Sequence, residues 1–196
     1  MMELKNFILG LALILIPPLA LAVQPNGLYA AQDVGRSVFY KACQGTKLPY
    51  TSCKDQDFSH RISIGYKFNE VNASEISYFS SGQTTLNGLG NFSNGIDDVE
   101  WQFSGIWHSV VDIGAETGRL LVFGRYGLVH WEAAEANTSS RLNASGNSLL
   151  LGIGAKFYIT QDTLIRLQYD LHNIGNSTLR WNGNIGFLSI GLAYQP

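Results

Sequence analysis

Between Ile165 and Leu171 the chain changes character at every residue: Ile165, Leu167, Tyr169 and Leu171 share one parity, and Arg166, Gln168 and Asp170 share the other. Side chains alternate across an extended strand, so this stretch is a ribbon with one apolar face and one charged face. The pattern returns near the C-terminus, where Leu188, Ile190, Leu192 and Tyr194 stand opposite Ser189, Gly191 and Ala193. It returns again at His60, Ile62, Ile64, Tyr66 and Phe68 against Arg61, Ser63, Gly65 and Lys67. A chain built this way must place its two faces in two different media.

A water-soluble barrel turns the apolar face inward, whereas a membrane barrel turns it to lipid and keeps polar groups inside. Large aliphatic and aromatic residues facing Gly, Ser, Ala and a few charges suit a narrow lumen wrapped in lipid. Composition agrees, since charged residues make up 14% of the chain, against roughly 25% in an average soluble domain. The net charge of −2 carries no basic excess for nucleic acid.

Residues 1–22 read as a cleaved export signal: Lys5, an apolar run from Phe7 to Ile16, a Pro17-Pro18 break and an Ala20-Leu21-Ala22 cleavage site. The run is shorter than the ~20 residues a spanning helix needs, so membrane insertion must proceed through strands. Residues 23–196 are then one all-β domain, an eight-stranded antiparallel up-and-down barrel. Its first strand opens near Gly27 with Asp33, Gly35 and Ser37 inward. The second runs from His60 to Phe68, the third is Glu75-Ile76-Ser77-Tyr78, and the fourth carries Trp101, Phe103 and Trp107 outward and Glu100, Gln102, Ser104 and His108 inward. In the fifth, Leu120 to Trp131, both faces start apolar and Arg125 fixes the lumen side, because a charge at mid-depth does not face lipid. The sixth is Leu149 to Tyr158 with Lys156 inward, and the seventh and eighth are the two C-terminal ribbons. Residues 41–57, 81–98, 133–147 and 173–183 read as long polar loops, and short turns at 69–72, 112–118 and 160–163 alternate with them, as in outer-membrane barrels.

The runs Phe157-Tyr158-Ile159-Thr160, Arg166-Leu167-Gln168-Tyr169, Asn173-Ile174-Gly175-Asn176 and Asn184 to Tyr194 resemble the last three strands of the OmpA-like transmembrane barrel family. Gly124-Arg125-Tyr126-Gly127-Leu128-Val129-His130-Trp131 resembles its fifth strand. The resemblance implies a bacterial outer-membrane location, here without the peptidoglycan-binding domain that family members often add. It also implies that Glu75 and Arg125 match a lumen Glu–Arg pair that plugs the barrel. Pro196 departs from the family, whose assembly signal prefers a terminal aromatic.

Cys43 and Cys53, an even pair in one outward segment of an exported chain, are expected to form a disulfide rather than a metal site. Lumen parity gathers Glu75, Glu100 and Asp170 with Arg61, Arg125, Lys156 and Arg166 as a charge network. No catalytic residue is legible: His60, His108, His130 and His172 lie near strand ends, and His108 and Ser109, being adjacent, point to opposite faces. No cofactor or metal-ligand spacing appears either. Five N-x-S/T triplets, at Asn72, Asn91, Asn137, Asn143 and Asn176, mark loops and turns. The sequence therefore describes a monomeric, non-enzymatic outer-membrane barrel with outer-membrane lipid around it, a filled lumen, and a structural or surface-interaction role in adhesion or envelope integrity. Host or cell-surface ligands would meet its outward loops. A lipid-modifying outer-membrane enzyme and a narrow pore are the alternatives, and a soluble lipocalin-like carrier is disfavoured by the missing Gly-x-Trp opening.

Overall fold

In the computed structural model, residues 27–43, 50–88, 92–111, 120–137, 140–175 and 183–196 are described. Residues 1–22, read above as an export signal, and the turn expected at 112–118 lie outside them. Among the described residues nine strands occur: β1 Gly27–Phe39, β2 Tyr50–Lys54, β3 Gln56–Lys67, β4 Asn72–Gly88, β5 Phe92–Val111, β6 Leu120–Asn137, β7 Ser140–Tyr158, β8 Thr163–Ile174 and β9 Gly183–Tyr194. Eight of them close a fully antiparallel barrel, because β9 pairs back onto β1 and β4 pairs onto β5. The short β2 adds to the outer end of β4 beside β3.

The barrel inverts the burial of a water-soluble protein. Leu151 is 63% exposed and Ile190 55% exposed, while Arg61 and Arg166 are fully buried. The exposed face carries Leu28, Ile62, Ile64, Ile76, Phe103, Leu128, Ile153, Leu167, Leu188 and Leu192. Aromatic pairs sit towards its two rims: Tyr66 packs edge-on against Phe68 with ring centroids 5.2 Å apart, and Tyr78 against Trp101 at 5.4 Å. A closed ladder leaves no unpaired backbone groups in lipid, which is what makes strands viable there.

Three stretches differ from the sequence reading. The third strand is 17 residues long, not four, and β4 and β5 run through most of 81–98 as a paired ladder from Phe79↔Glu100 to Gly88↔Phe92. Likewise β6 and β7 remain paired out to Asn137↔Ser140, so 133–137 and 140–147 are paired strand rather than loop and Asn143 lies in a strand. Residues 41–57 contain β2 and the start of β3. Crossing a bilayer takes ~9–11 tilted residues, whereas β4 to β7 have 17, 20, 18 and 19. The sheet therefore projects well past the lipid band at its outer end. There β4 carries a bulge at Ser80/Gly82, and Gly82 takes φ of 77°, which a side chain would strain. Two N-x-S/T positions, Asn91 and Asn176, lie outside the described residues.

Cys43 and Cys53 are bonded, with Cα atoms 5.9 Å apart, and the bridge ties the turn after β1 to β2. Beside it, outside the lipid band, Asp57 accepts from Lys54 Nζ at 2.5 Å and from the Gln83 backbone N–H at 2.8 Å. Partial desolvation pushes the Asp57 carboxyl up, but these hydrogen bonds outweigh it and hold the group below the usual carboxylate range.

Candidate functional site in the barrel lumen

Because parity alternates, every second residue of each strand enters the lumen, and an eight-stranded barrel is just wide enough for those side chains to fill. The interior is layered. At the short-turn end, Tyr29, Ala73, Ile106 and Phe123 form one apolar cluster, and Ala31, Leu164 and Ala193 form another. At the outer end Phe39, Ala42, Val129, Trp131, Ala133, Leu150, Ile174 and Ile185 form an apolar stopper. Charged groups occupy the middle.

The central layer contains three guanidinium groups and three carboxylates, all nearly or fully inaccessible. Arg166 grips Asp33 in a fork, with Nε 2.6 Å from Oδ1 and Nη2 2.5 Å from Oδ2, and its Nη1 donates to Glu75 Oε1 at 2.6 Å. Arg61 Nε donates to Asp33 Oδ2 at 2.9 Å, and its Nη1 contacts Asp170. Arg125 donates to Asp170 Oδ2 at 3.0 Å, to Ser104 Oγ at 2.8 Å and to Ser77 Oγ at 3.1 Å. Tyr29 donates to Glu75 Oε1 at 2.8 Å. Formal charge cancels within this layer. That balance matters because a charge left alone in such a place carries a penalty of several kcal/mol, on the order of that measured for broken buried pairs.

Two glycines make the room. Gly191 is paired with Asp33 on one side and Arg166 on the other, and Gly152 with Asp170 and Arg125. A Cβ at Gly191 would overlap Asp33 Oδ1, and one at Gly152 would overlap Asp170 Oδ1. Each glycine is thus the space into which a neighbouring carboxylate folds.

The residues singled out by parity separate into three places. Arg61, Glu75, Arg125, Arg166 and Asp170 meet in the central layer. Glu75 lies closer to Arg166 than to Arg125, whose Nη2 is 3.7 Å from Glu75 Oε2. Lys156 stands towards the short-turn mouth, its ammonium 4.9 Å from the centroid of Phe123 and 5.6 Å from that of Tyr29. Its Nζ is 2.9 Å from His108 Nε2, and His108 Nδ1 is 3.2 Å from the Val71 carbonyl oxygen. The carbonyl can only accept, so Nδ1 donates and Nε2 accepts from the ammonium. A recess of about 20 Å³ at this mouth, lined in part by Tyr29, His108 and Lys156, has room for about one water.

Glu100 belongs to neither group. It sits with Asp98 and His172 beside the outer stopper; one ligand atom from each of the three lies within 4.8 Å of the others. Gln102 Nε2 donates to Glu100 Oε2 at 2.9 Å and Ser81 Oγ to Asp98 Oδ2 at 3.1 Å. The sequence reading omitted Asp33 from the network although its inward parity was visible. It missed Asp98 by assigning it to a loop, and His172 by placing it at the rim.

The profile of the OmpA-like transmembrane domain matches residues 23–196. Among solved structures, neisserial surface protein A is similar with 17% identity, a TM-score of 0.60, and coverage of 87% of this chain and 97% of its own. The outer membrane protein OprG of Pseudomonas aeruginosa has 12% identity, a TM-score of 0.56 and coverage of 88% and 98%. The N-terminal β-barrel domain of OprF from the same organism has 16% identity, a TM-score of 0.53 and coverage of 87% and 100%. A sequence search of curated proteins finds no match.

Proposed function

The chain belongs to the family of OmpA-like transmembrane domains, and from that premise we propose that it is a plugged outer-membrane barrel whose work is done by the sheet projecting from its outer end. An outer-membrane barrel of this type has a surface or structural role. The finer reading is that the β4–β7 projection meets host or cell-surface ligands, in adhesion or in envelope integrity, while the barrel beneath acts as a monomeric, non-enzymatic anchor. The observation that carries this is the contrast between the two ends of the same strands. Within the lipid band a charge-balanced layer lies between apolar clusters in the lumen. Beyond it, four strands continue as an open platform with no lipid to face.

Reconstitution in planar bilayers tests the plug: the native barrel gives no stable wide conductance. Binding of the purified barrel to cell surfaces, compared with a variant whose β4–β5 hairpin is shortened from Thr85 to Ile96, tests the platform. A stable wide conductance, or binding unchanged by the shortening, would each remove one half of the proposal.

A further inference from the structure

Asp98 and Glu100 are two residues apart on β5 and so enter the lumen on the same parity, while His172 arrives from β8. The first two are fully buried and His172 is 3% exposed. Each carboxylate has one oxygen held from behind, Glu100 by Gln102 and Asp98 by Ser81. The other oxygens, Asp98 Oδ1 and Glu100 Oε1, have no hydrogen-bond partner, and neither ring nitrogen of His172 has one. His172 Nε2 approaches Glu100 Oε1 closely, yet without hydrogen-bond alignment. One ligand atom from each of the three side chains lies within 4.8 Å of the others.

We propose that Asp98, Glu100 and His172 bind one divalent first-row transition ion, with Zn²⁺ the best-fitting probe, and that this ion pins β5 to β8 across the lumen. The donor set of one imidazole and two carboxylates suits such ions better than Ca²⁺ or Mg²⁺, which prefer all-oxygen shells. Ligand bonds of ~2 Å place donor atoms roughly 3–3.5 Å apart, which small side-chain rotations here supply. The hydrogen bonds from Gln102 and Ser81 orient the carboxylates as outer partners do in metal sites. Apolar neighbours complete the pocket: Trp131 is the cross-strand partner of Glu100, Leu150 and Ile185 are those of His172, and the His172 ring meets Phe79 edge-on at 6.2 Å. Such walls hold an ion against exchange, so the site fills as the barrel closes.

The test is to refold the full chain in detergent with Zn²⁺ present, exchange it into metal-free buffer, and measure metal per chain in the folded fraction, identified by its mobility before heating. Wild type retains one ion per chain. His172→Gln and Glu100→Gln reduce retention to background. Asp98→Asn, which keeps its size and its Ser81 hydrogen bond, provides a second route should the others fold poorly. His130→Gln leaves retention unchanged, since His130 and Glu132 form an exposed pair on the outer surface. Replacement with Co²⁺ adds a visible ligand-field absorption that His172→Gln abolishes and a purely structural role would not. Folded wild type without retained Zn²⁺, or retention lost in His130→Gln and kept in His172→Gln, overturns the site. Both outcomes leave the plug and platform reading intact, because that reading is judged by conductance and cell binding.

Discussion

Arg166 on β8 and Asp33 on β1 are not on adjacent strands, yet they form the best-matched ion pair in the lumen, two near-parallel N–H···O bonds of 2.6 and 2.5 Å reaching over Gly191 of β9. Arg166 also supplies the shortest ionic contact to Glu75. Removing this one guanidinium therefore takes the nearest cation from two buried carboxylates at once. Arg166→Ala should destabilise the folded barrel by about 3–5 kcal/mol, and adding Asp33→Asn should recover part of the loss. A double-mutant cycle for Arg125 and Glu75, 3.7 Å apart, should show weaker coupling. Urea unfolding in detergent measures both cycles. Strict additivity at Arg166 and Asp33 would refute the central-layer account.

Gly191→Leu and Gly152→Leu should each prevent formation of the folded barrel or lower its melting temperature sharply, because the new side chain occupies the space of Asp33 or Asp170. Gly124 is the control. A Cβ there meets nothing within 4 Å, so Gly124→Ala should change stability by less than about 0.5 kcal/mol, as surface substitutions do. Thermal melts of the three variants give the comparison, and equal effects at all three positions would contradict it.

Reducing the Cys43–Cys53 disulfide should leave the barrel closed. The bridge closes a short span, so its constraint on the unfolded chain is worth at most about 2–3 kcal/mol, and it ties the turn after β1 to β2 outside the eight-strand ladder. Mass spectrometry of unreduced envelope protein should show the linked form. Reductant should not alter the heat-dependent mobility of the folded barrel in SDS. Loss of the folded band on reduction would show that the bridge supports the barrel itself.

Fractionation with and without heating in SDS should find an outer-membrane species that migrates faster before heating. The closed ladder of β1 paired with β9 has no edge from which detergent can peel strands. A protein found in the soluble periplasm, with mobility independent of heating, would be inconsistent with the fold.

Alternation alone determined the barrel strands wherever the two faces of a strand meet different media. Ile62 and Arg61, or Leu167 and Arg166, mark two faces in two media, and the large apolar residues opposite small and charged ones assign those media as lipid and lumen. The same rule made Glu75, Arg125 and Asp170 visible as inward charges before any contact was known. It failed at residues 81–98 and 133–147, where β4–β7 run on past the bilayer: without lipid along one face the sequence loses its apolar–polar alternation, and a paired ladder reads as a loop. Only the closed structure decided which charge meets which. Register aligns Asp33, Gly191 and Arg166 across three strands, and the barrel's curvature brings His172 to Glu100 and Asp98. Parity specifies a face, whereas a partner across the lumen depends on the stagger and closure of the whole sheet, which no local stretch of sequence contains.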